Sequence, residues 1–432
     1  MRFKKILAMT LLATAMITLT SCGGAQTSNK SNEESLSQSN DKLVMAIWDK
    51  NQLNGIQEIT NDFTKETGIK VDIQVTPWEQ YWTMLEAGAT GGQLPDIFWM
   101  HSNEISKYAK YEMLLDLTDK IKASNEIDLD NYPKDIVSLY NWNNEKQYAI
   151  PKDIDTIALW YNKTMFDEAG VAYPNVDWTW DNFKDAAKKL TKSDGSQYAY
   201  ALNPTNNQDG WYNMVYSMGG AIIADDKKTS KMDDKNTIKA IDFVSSLVKE
   251  GYTPKYEVLA ENSADSLFKA GKVAMITQGS WMVTDLINND YVKQNADIAV
   301  LPKDATTGKR ISIYNGLGWA AAANTKNPDN AWKLIEYLGS KEAQQKQSDL
   351  GVTMSAYKGT SDNWKNLYPQ INLQAYLDMK ENLVIRPYSQ STVIWENYAS
   401  EKLIDTWRGI VTPEEACKDI SNKMNEFLKD EQ

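Results

Sequence analysis

Apolar and polar positions change period along the chain, and the changes mark alternating strands and helices. Residues 42–48 (KLVMAIW) form a short apolar run that reads as a buried strand. Leu53, Ile56, Ile59 and Phe63 then recur at helical spacing, and Gly68 stands just past the last turn, where a left-handed cap is expected. Residues 69–75 (IKVDIQV) alternate strictly, which predicts a second strand. Trp78, Tyr81, Trp82 and Leu85 predict a helix over 78–88, and the loop AGATGGQLP leads into a third strand, DIFWM at 96–100. Strand, helix, strand, helix, strand implies a parallel α/β sheet.

The pattern resumes downstream. YAIP (148–151), TIALWYN (156–162), KVAMITQ (272–278) and DIAVLP (297–302) read as strands. Helices are predicted from Trp180 to Leu190, over 236–250 with Ile238, Ile241, Phe243, Val244 and Leu247 as the apolar face, and over 327–338 (NPDNAWKLIEYL). Thr412-Pro413-Glu414-Glu415 forms a capping box with proline in the first turn and opens a C-terminal helix reaching Leu428. The charged stretch 225–236 reads as a solvated loop, and no tandem repeat of solenoid period is present.

The first forty residues follow a different logic. Residues 1–5 are basic, 6–19 are almost entirely apolar, and small residues lead to Cys22, the layout of a secretory signal peptide. The apolar run is shorter than the roughly 20 residues a membrane-spanning helix needs. Leu19-Thr20-Ser21-Cys22 resembles the bacterial lipobox, which implies cleavage after residue 21 and acylation of the Cys22 sulfur. Two acyl chains suffice for stable anchoring in a bilayer. Residues 23–40 are small and polar and cannot bury enough surface to order. The expectation is therefore a signal peptide over 1–21 and a lipidated cysteine with a disordered tether over 22–40.

Composition narrows the function classes. The chain has 432 residues and a formal charge of −12, which is too long for one compact core and is repelled by phosphate backbones, so nucleic acid is an unsuitable partner. Trp (15) and Tyr (22) far outnumber Phe (8), a balance suited to partly wet binding surfaces. With Cys22 acylated, Cys417 is left without a disulfide partner and is expected to be a buried apolar residue. The chain lacks G-x-S-x-G, H-E-x-x-H, Walker and G-x-G-x-x-G motifs, and one histidine cannot build a multi-histidine metal site. No catalytic residue, metal ion or cofactor is expected. The enzyme alternative is a secreted glycoside hydrolase using Asp153 and Asp155, opposed by the want of eight successive βα units.

Six segments occur together and in order: GIKVDIQVTPWEQYWTML, GGQLPDIFWMH, YAIPKDIDTIALWYNK, LFKAGKVAMITQGSWMV, YNGLGWAAAANTKNPDNAWKLIEYL and RPYSQSTVIW. From residue 42 onward the chain resembles the carbohydrate-type extracellular solute-binding proteins of ABC importers, the class containing maltose-binding protein. The resemblance implies a two-lobe α/β fold, each lobe a mostly parallel sheet flanked by helices, with the ligand between the lobes. Lobe 1 would hold 41–154 and 318–355, lobe 2 156–314 and 357–432, with hinges near Asp155, Asn315 to Gly318 and residue 356. It also implies a monomer that captures a carbohydrate, closes on it, and meets the membrane subunits of an importer. A polyol, sugar phosphate or sugar acid is the alternative ligand.

A sugar ring has an apolar C–H face and a rim of hydroxyls, so its site needs flat aromatics and hydrogen-bonding carboxylates or amides. The resemblance places stacking aromatics at Trp281 and Trp395. Trp99 sits at the carboxyl edge of a predicted parallel strand, where open α/β sheets bind ligands. Trp211 and Tyr212 follow the polar loop Asn206 to Gly210, whose family counterpart lines the cleft. Asp155, Asp49 and His101 match hydrogen-bonding positions of the family, although Ser102 stands where some maltose-binding members carry an acid. Arg386 could take a hydroxyl pair or a carboxylate. Gly316 and Gly318 fit a hinge or a close ligand approach, and Tyr81 and Gln390 are further candidates.

Overall fold

The computed structural model describes residues 42–204 and 206–431. The signal peptide expected over 1–21, Cys22 and the tether over 23–40 lie outside the described residues.

Two sheets organise the chain. The first has the strand order Lys70–Val75, Lys42–Ile47, Ile97–Met100, Gly318–Ala321, Ala149–Pro151. The second has the order Ala296–Ala299, Ile157–Asn162, Val273–Gly279, Tyr198–Tyr200. Helices pack against both, giving a two-lobe α/β fold. Each sheet contains one reversed strand. Gly318–Ala321 is antiparallel to both of its neighbours, and so is Ile157–Asn162. The remaining pairs are parallel. Each reversed strand is the first its sheet receives after a crossing. The chain leaves Ala149–Pro151 at its carboxyl end, crosses, and arrives at the carboxyl edge of the second sheet, so the strand it begins there must run backwards. The return crossing does the same at Gly318. The carboxyl edges of the two sheets consequently face one junction.

Local sequence accounts for the elements. The helix Leu53–Thr67 buries Ile56, Ile59, Thr60 and Phe63 and ends at Gly68, whose φ of 76° is the left-handed geometry a glycine adopts without strain. The C-terminal helix Pro413–Lys429 is closed by the predicted capping box: Glu415 N–H donates to Thr412 Oγ at 3.3 Å, and Thr412 N–H donates to the Glu415 carboxylate at 3.1 Å. Cys417 in this helix is buried, and burial pushes its thiol up to about 12. The stretch 225–236 is only partly a solvated loop, because Met232 is fully buried and the helix Lys235–Lys249 begins within it.

Side-chain alternation splits the first lobe into two layers. Leu43, Met45, Ile47, Trp99 and Trp319 pack with Ile56, Phe63, Leu334 and Ile335 on one face of the sheet. Ala46, Phe98, Met100 and Ala320 face the other way, toward Tyr81, Trp82, Leu85 and Tyr108.

Three segments cross between the sheets. The middle one, 152–155, is hydrogen-bonded on both sides. Lys152 N–H donates to Leu317 O at 2.7 Å, Asp155 N–H to Asn315 O at 2.8 Å, and Ile154 N–H to Met354 O at 3.1 Å. Lys152 and Asp153 are fully buried there, with Nζ 2.6 Å from the Asp153 carboxylate and 2.9 Å from Gln52 Oε1. Asp153 also accepts from Leu317 N–H at 2.6 Å. A Cβ on Gly316 would lie 2.1 Å from the Asp153 carbonyl oxygen. The glycine is therefore required by the neighbouring crossing segment, and the close approach at 316 is protein against protein.

Removing one partner of a fully buried pair leaves an uncompensated charge. Lys152→Met is expected to cost about 3–5 kcal/mol of stability, and Lys152→Met with Asp153→Asn to recover much of it. Urea unfolding of the three proteins checks this. A double variant no more stable than the single one would refute the isolated-charge argument.

Candidate ligand-binding site

The loops at the carboxyl edges carry the chemistry. Trp48 and Asp49 follow Lys42–Ile47, Trp78 follows Lys70–Val75, and His101, Ser102 and Asn103 follow Ile97–Met100. From the second sheet come Gln208 to Tyr212 after Tyr198–Tyr200, and Ser280 and Trp281 after Val273–Gly279. The crossing segments add Asp155 and Asn315.

The first lobe presents an aromatic wall. Trp48 meets Trp78, Tyr81 and Trp99 edge-on, each at 5.0 Å between ring centroids. Trp78 also meets Trp82 at 5.4 Å and His101 at 5.4 Å. Trp78 is 44% exposed and Trp48 half-buried, whereas Tyr81, Trp82 and Trp99 are buried behind them. On the second lobe Trp281 is half-buried on a short turn. A Cβ on Gly279 would lie 2.0 Å from its ring, so only glycine at 279 lets this indole take its position.

A polar network runs from one lobe to the other. His101 Nδ1 accepts from Asn103 N–H at 3.2 Å, and Nε2 meets the Asn315 side-chain amide at 3.2 Å. Asn103 Nδ2 donates to Glu396 Oε2, and Tyr212 O–H donates to Glu396 Oε1 at 3.0 Å. Arg386 Nη2 donates to both Glu396 oxygens at 3.1 and 3.0 Å, and Nη1 donates to Gln208 Oε1 at 3.3 Å. Near the hinge, Ser280 O–H donates to Asp155 at 2.8 Å. Six buried atoms of these residues and their neighbour Asp209 lack a hydrogen-bond partner among the described residues: Ser102 Oγ, Asn103 Oδ1, Gln208 Nε2, Asp209 Oδ1, Asn315 Oδ1 and Arg386 Nε. Buried polar atoms left unpaired are costly, so these are groups that a bound molecule can satisfy.

Burial dominates the electrostatics. It pushes the Asp155 carboxyl well above the usual carboxylate range, reinforced by Asp153 and opposed by Lys152 and Ser280. Asp209 is raised in the same way, with Arg386 opposing. Burial, and then the Arg386 charge, hold His101 well below the ordinary histidine value. Among the described residues no group of His, Cys, Asp and Glu side chains is arranged to hold a metal ion.

The candidates from sequence divide into two groups. Asp155, Trp281, His101, Arg386 and Tyr212 come together at the junction, with Tyr212 reaching it by its hydroxyl alone. Asp49 lies beside them, its carboxylate taken by Asn51 N–H at 2.8 Å and Gln52 Nε2 at 3.0 Å. Trp99, Trp211 and Trp395 do not show an open face. Trp99 is fully buried, paired in register with Trp319 and under Lys152 Nζ at 4.6 Å from its centroid. Trp211 is 1% exposed and gives its N–H to Asn207 at 3.0 Å; Trp395 is 1% exposed and gives its N–H to Ser389 at 2.9 Å. Tyr81 stands in the wall with its hydroxyl on Trp99 O at 2.7 Å, and Gln390 lies at a separate 280 Å³ cavity with Trp142 and Tyr388. Sequence reasoning left out Trp48, Trp78, Asn103 and Glu396 as site residues. Glu396 carried a signal: it is the one acid among the buried positions of the helix Thr392–Trp407, beside Trp395, Ala399 and Leu403.

His101 fixes the sign of a pH effect. Its folded-state value is depressed, so the unfolded chain binds the proton first, and stability is lost as pH falls below about 6.5. The raised Asp155 and Asp209 act in the opposite direction, because there the folded state holds the proton. The comparison must therefore be made between variants. Going from pH 7.5 to pH 5, wild type is expected to lose more melting temperature than His101→Gln. Parallel curves for the two proteins would rule out a buried neutral imidazole.

A family model described as bacterial extracellular solute-binding protein matches residues 49–345. The galactooligosaccharide-binding protein of Bacillus subtilis is 25% identical over 379 residues, which span 83% of this chain and 82% of that protein. A maltooligosaccharide ABC transporter solute-binding lipoprotein of Streptococcus pneumoniae is 21% identical over 434 residues, spanning 99% and 98%. Among solved structures, an ABC substrate-binding protein from Listeria monocytogenes in complex with cycloalternan superposes with a TM-score of 0.82 at 22% identity, covering 90% of this chain and 99% of that one. That likeness is one of fold, and the stretch matched by the family model takes in the whole of the second sheet, all of the first but the strand Lys42–Ile47, two of the three crossing segments and most of the loops that converge on the junction. The chain belongs to the bacterial extracellular solute-binding proteins.

Proposed function

We propose that this protein captures a sugar or oligosaccharide outside the cell, closes its two lobes on it, and delivers it to the membrane subunits of an ABC importer without chemically altering it. The observation that carries this reading is the His101–Asn103–Glu396–Arg386 network, which bonds side chains of both lobes together beside Asp155, with Trp78 and Trp48 on one lobe and Trp281 on the other left partly open. Indole faces suit the C–H face of a pyranose, and the amides and carboxylates suit its hydroxyls. The saccharides named for relatives in Bacillus and Streptococcus, and the cycloalternan of the Listeria complex, support the same class.

In this reading lobe 1 comprises 41–154 and 318–355 and lobe 2 comprises 156–314 and 357–432. Asp155, residues 315–318 and residue 356 act as hinges. Ligand contacts on both lobes favour the closed arrangement, and the change of outline is what the transporter reads. Direct lobe-to-lobe bonds from Asn51 Nδ2 to Asp285 (3.4 Å) and from Thr284 O–H to Gly351 O (3.0 Å) would form and break with closure. The mature chain begins at Cys22, acylated and held at the outer face of the cell membrane, and works as a monomer.

A thermal-shift screen of mono- and oligosaccharides tests the central claim, since a ligand bound by the folded state alone raises the melting temperature. At least one saccharide should do so and be recovered unchanged. Trp281→Ala and Trp78→Ala should each weaken it about tenfold, equivalent to about 1.4 kcal/mol. Trp395→Phe should lower the melting temperature more than the affinity. Stabilisation by no saccharide, or turnover of the bound one, would defeat the proposal. In cells, a palmitate label should enter wild type and fail to enter Cys22→Ser; equal labelling would remove the anchor.

A further inference from the structure

Arg386 is the cation of the polar network, and it is not free. Nη2 reaches both oxygens of the Glu396 carboxylate, and Nη1 donates one hydrogen to Gln208. Nε has no partner among the described residues, and Nη1 keeps a second N–H. A guanidinium recognises a carboxylate best through two parallel N–H bonds, and Glu396 and Gln208 already occupy its two terminal nitrogens from within the protein. Lys152, the other buried cation near the junction, is likewise committed, to Asp153 and Gln52.

Glu396 is held in place from three directions. Tyr212 and Arg386 bind it from the second lobe, and Asn103 reaches it from the loop after Ile97–Met100. Arg386 and Glu396 side chains are 9% and 7% exposed, so water does little to screen them. A carboxylate with this many donors does not swing aside for a second anion. The unpartnered atoms complete the picture. Arg386 Nε and Gln208 Nε2 can donate, Asn103 Oδ1 and Asn315 Oδ1 can accept, and Ser102 Oγ can do either. Hydroxyls, which both donate and accept, satisfy such a mixed set. A carboxylate or phosphate, which only accepts, leaves the acceptors unpaired and meets Glu396 as a like charge.

We propose that Glu396 is a specificity gate: by occupying the Arg386 guanidinium it makes the site take neutral, hydroxyl-bearing saccharides and refuse sugar acids. The proposal rests on the sugar-binding reading above and adds a determinant to it. Specificity here is a difference of affinities obtained by a repulsive group, with Arg386 held ready behind it.

The test is calorimetric titration of the full-length body with a neutral oligosaccharide that wild type binds and with its counterpart carrying a carboxyl group at C6. Wild type should prefer the neutral form by a hundredfold or more. Glu396→Gln keeps the shape and frees the guanidinium. It should weaken the neutral ligand severalfold and strengthen the acidic one at least tenfold, and adding Arg386→Gln should abolish the gain. Should Glu396→Gln fail to fold by circular dichroism, Asn103→Ala with Tyr212→Phe loosens the carboxylate and keeps its charge; the neutral-to-acidic preference should then fall in the same direction by a smaller factor. Folded variants that bind the neutral sugar with an unchanged preference overturn the gate alone. A wild type that binds no saccharide of either charge overturns the sugar reading and the gate together.

Discussion

The backbone ladder of residues 152–155 is the constraint on which the rest of the structure depends. One short extended segment pairs with a second crossing segment on one side and a third on the other, and the Lys152–Asp153 pair is sealed inside it. Because the chain passes from sheet to sheet at this point, the first strand it builds on arrival runs against its neighbours. That single topological fact turns both carboxyl edges toward the same junction. The loops at those edges then supply side chains from both sheets, and the helix Thr392–Trp407 packs against them, so that residues as distant in sequence as Asn103 and Glu396 share a hydrogen bond.

Electrostatics at the junction follow from the exclusion of water. Carboxyls at 155 and 209 move up and the imidazole at 101 moves down, each toward its uncharged form. Charges that persist are paired one to one, Lys152 with Asp153 and Arg386 with Glu396. The wall is rich in directional hydrogen-bonding groups and poor in uncommitted charge. This suits capture that must also be reversible, since a ligand held by many modest bonds can be released when the lobes part.

The elements were legible because they depend on local pattern: helical spacing at Ile56, Ile59 and Phe63, alternation over 69–75, the capping box at Thr412. The sequence also singled out the carboxyl edge of the third strand, through Trp99, and the loop beyond that strand carries His101 and Asn103. What sequence could not assign was which indole stays open. Trp78 and Trp82 lie on one helix and look equivalent by period, yet Trp78 is exposed and Trp82 is buried. Trp99 and Trp395 have the right residue type and the right motif, but strand pairing with Trp319 and an N–H bond to Ser389 place them inside. Burial is a property of what packs on top, and that is set by segments hundreds of residues away. Glu396 escaped notice for the same reason: an acid beside Trp395 reads as a surface charge until Arg386 arrives opposite it.

The thiol at 417 has a practical consequence. It is enclosed in the C-terminal helix and remains protonated across the working range of sulfhydryl reagents. A soluble body beginning after residue 22 is thus chemically silent toward maleimides. A single cysteine introduced at a chosen rim position would carry a fluorophore without background labelling, and the motion of one lobe against the other could be followed in real time.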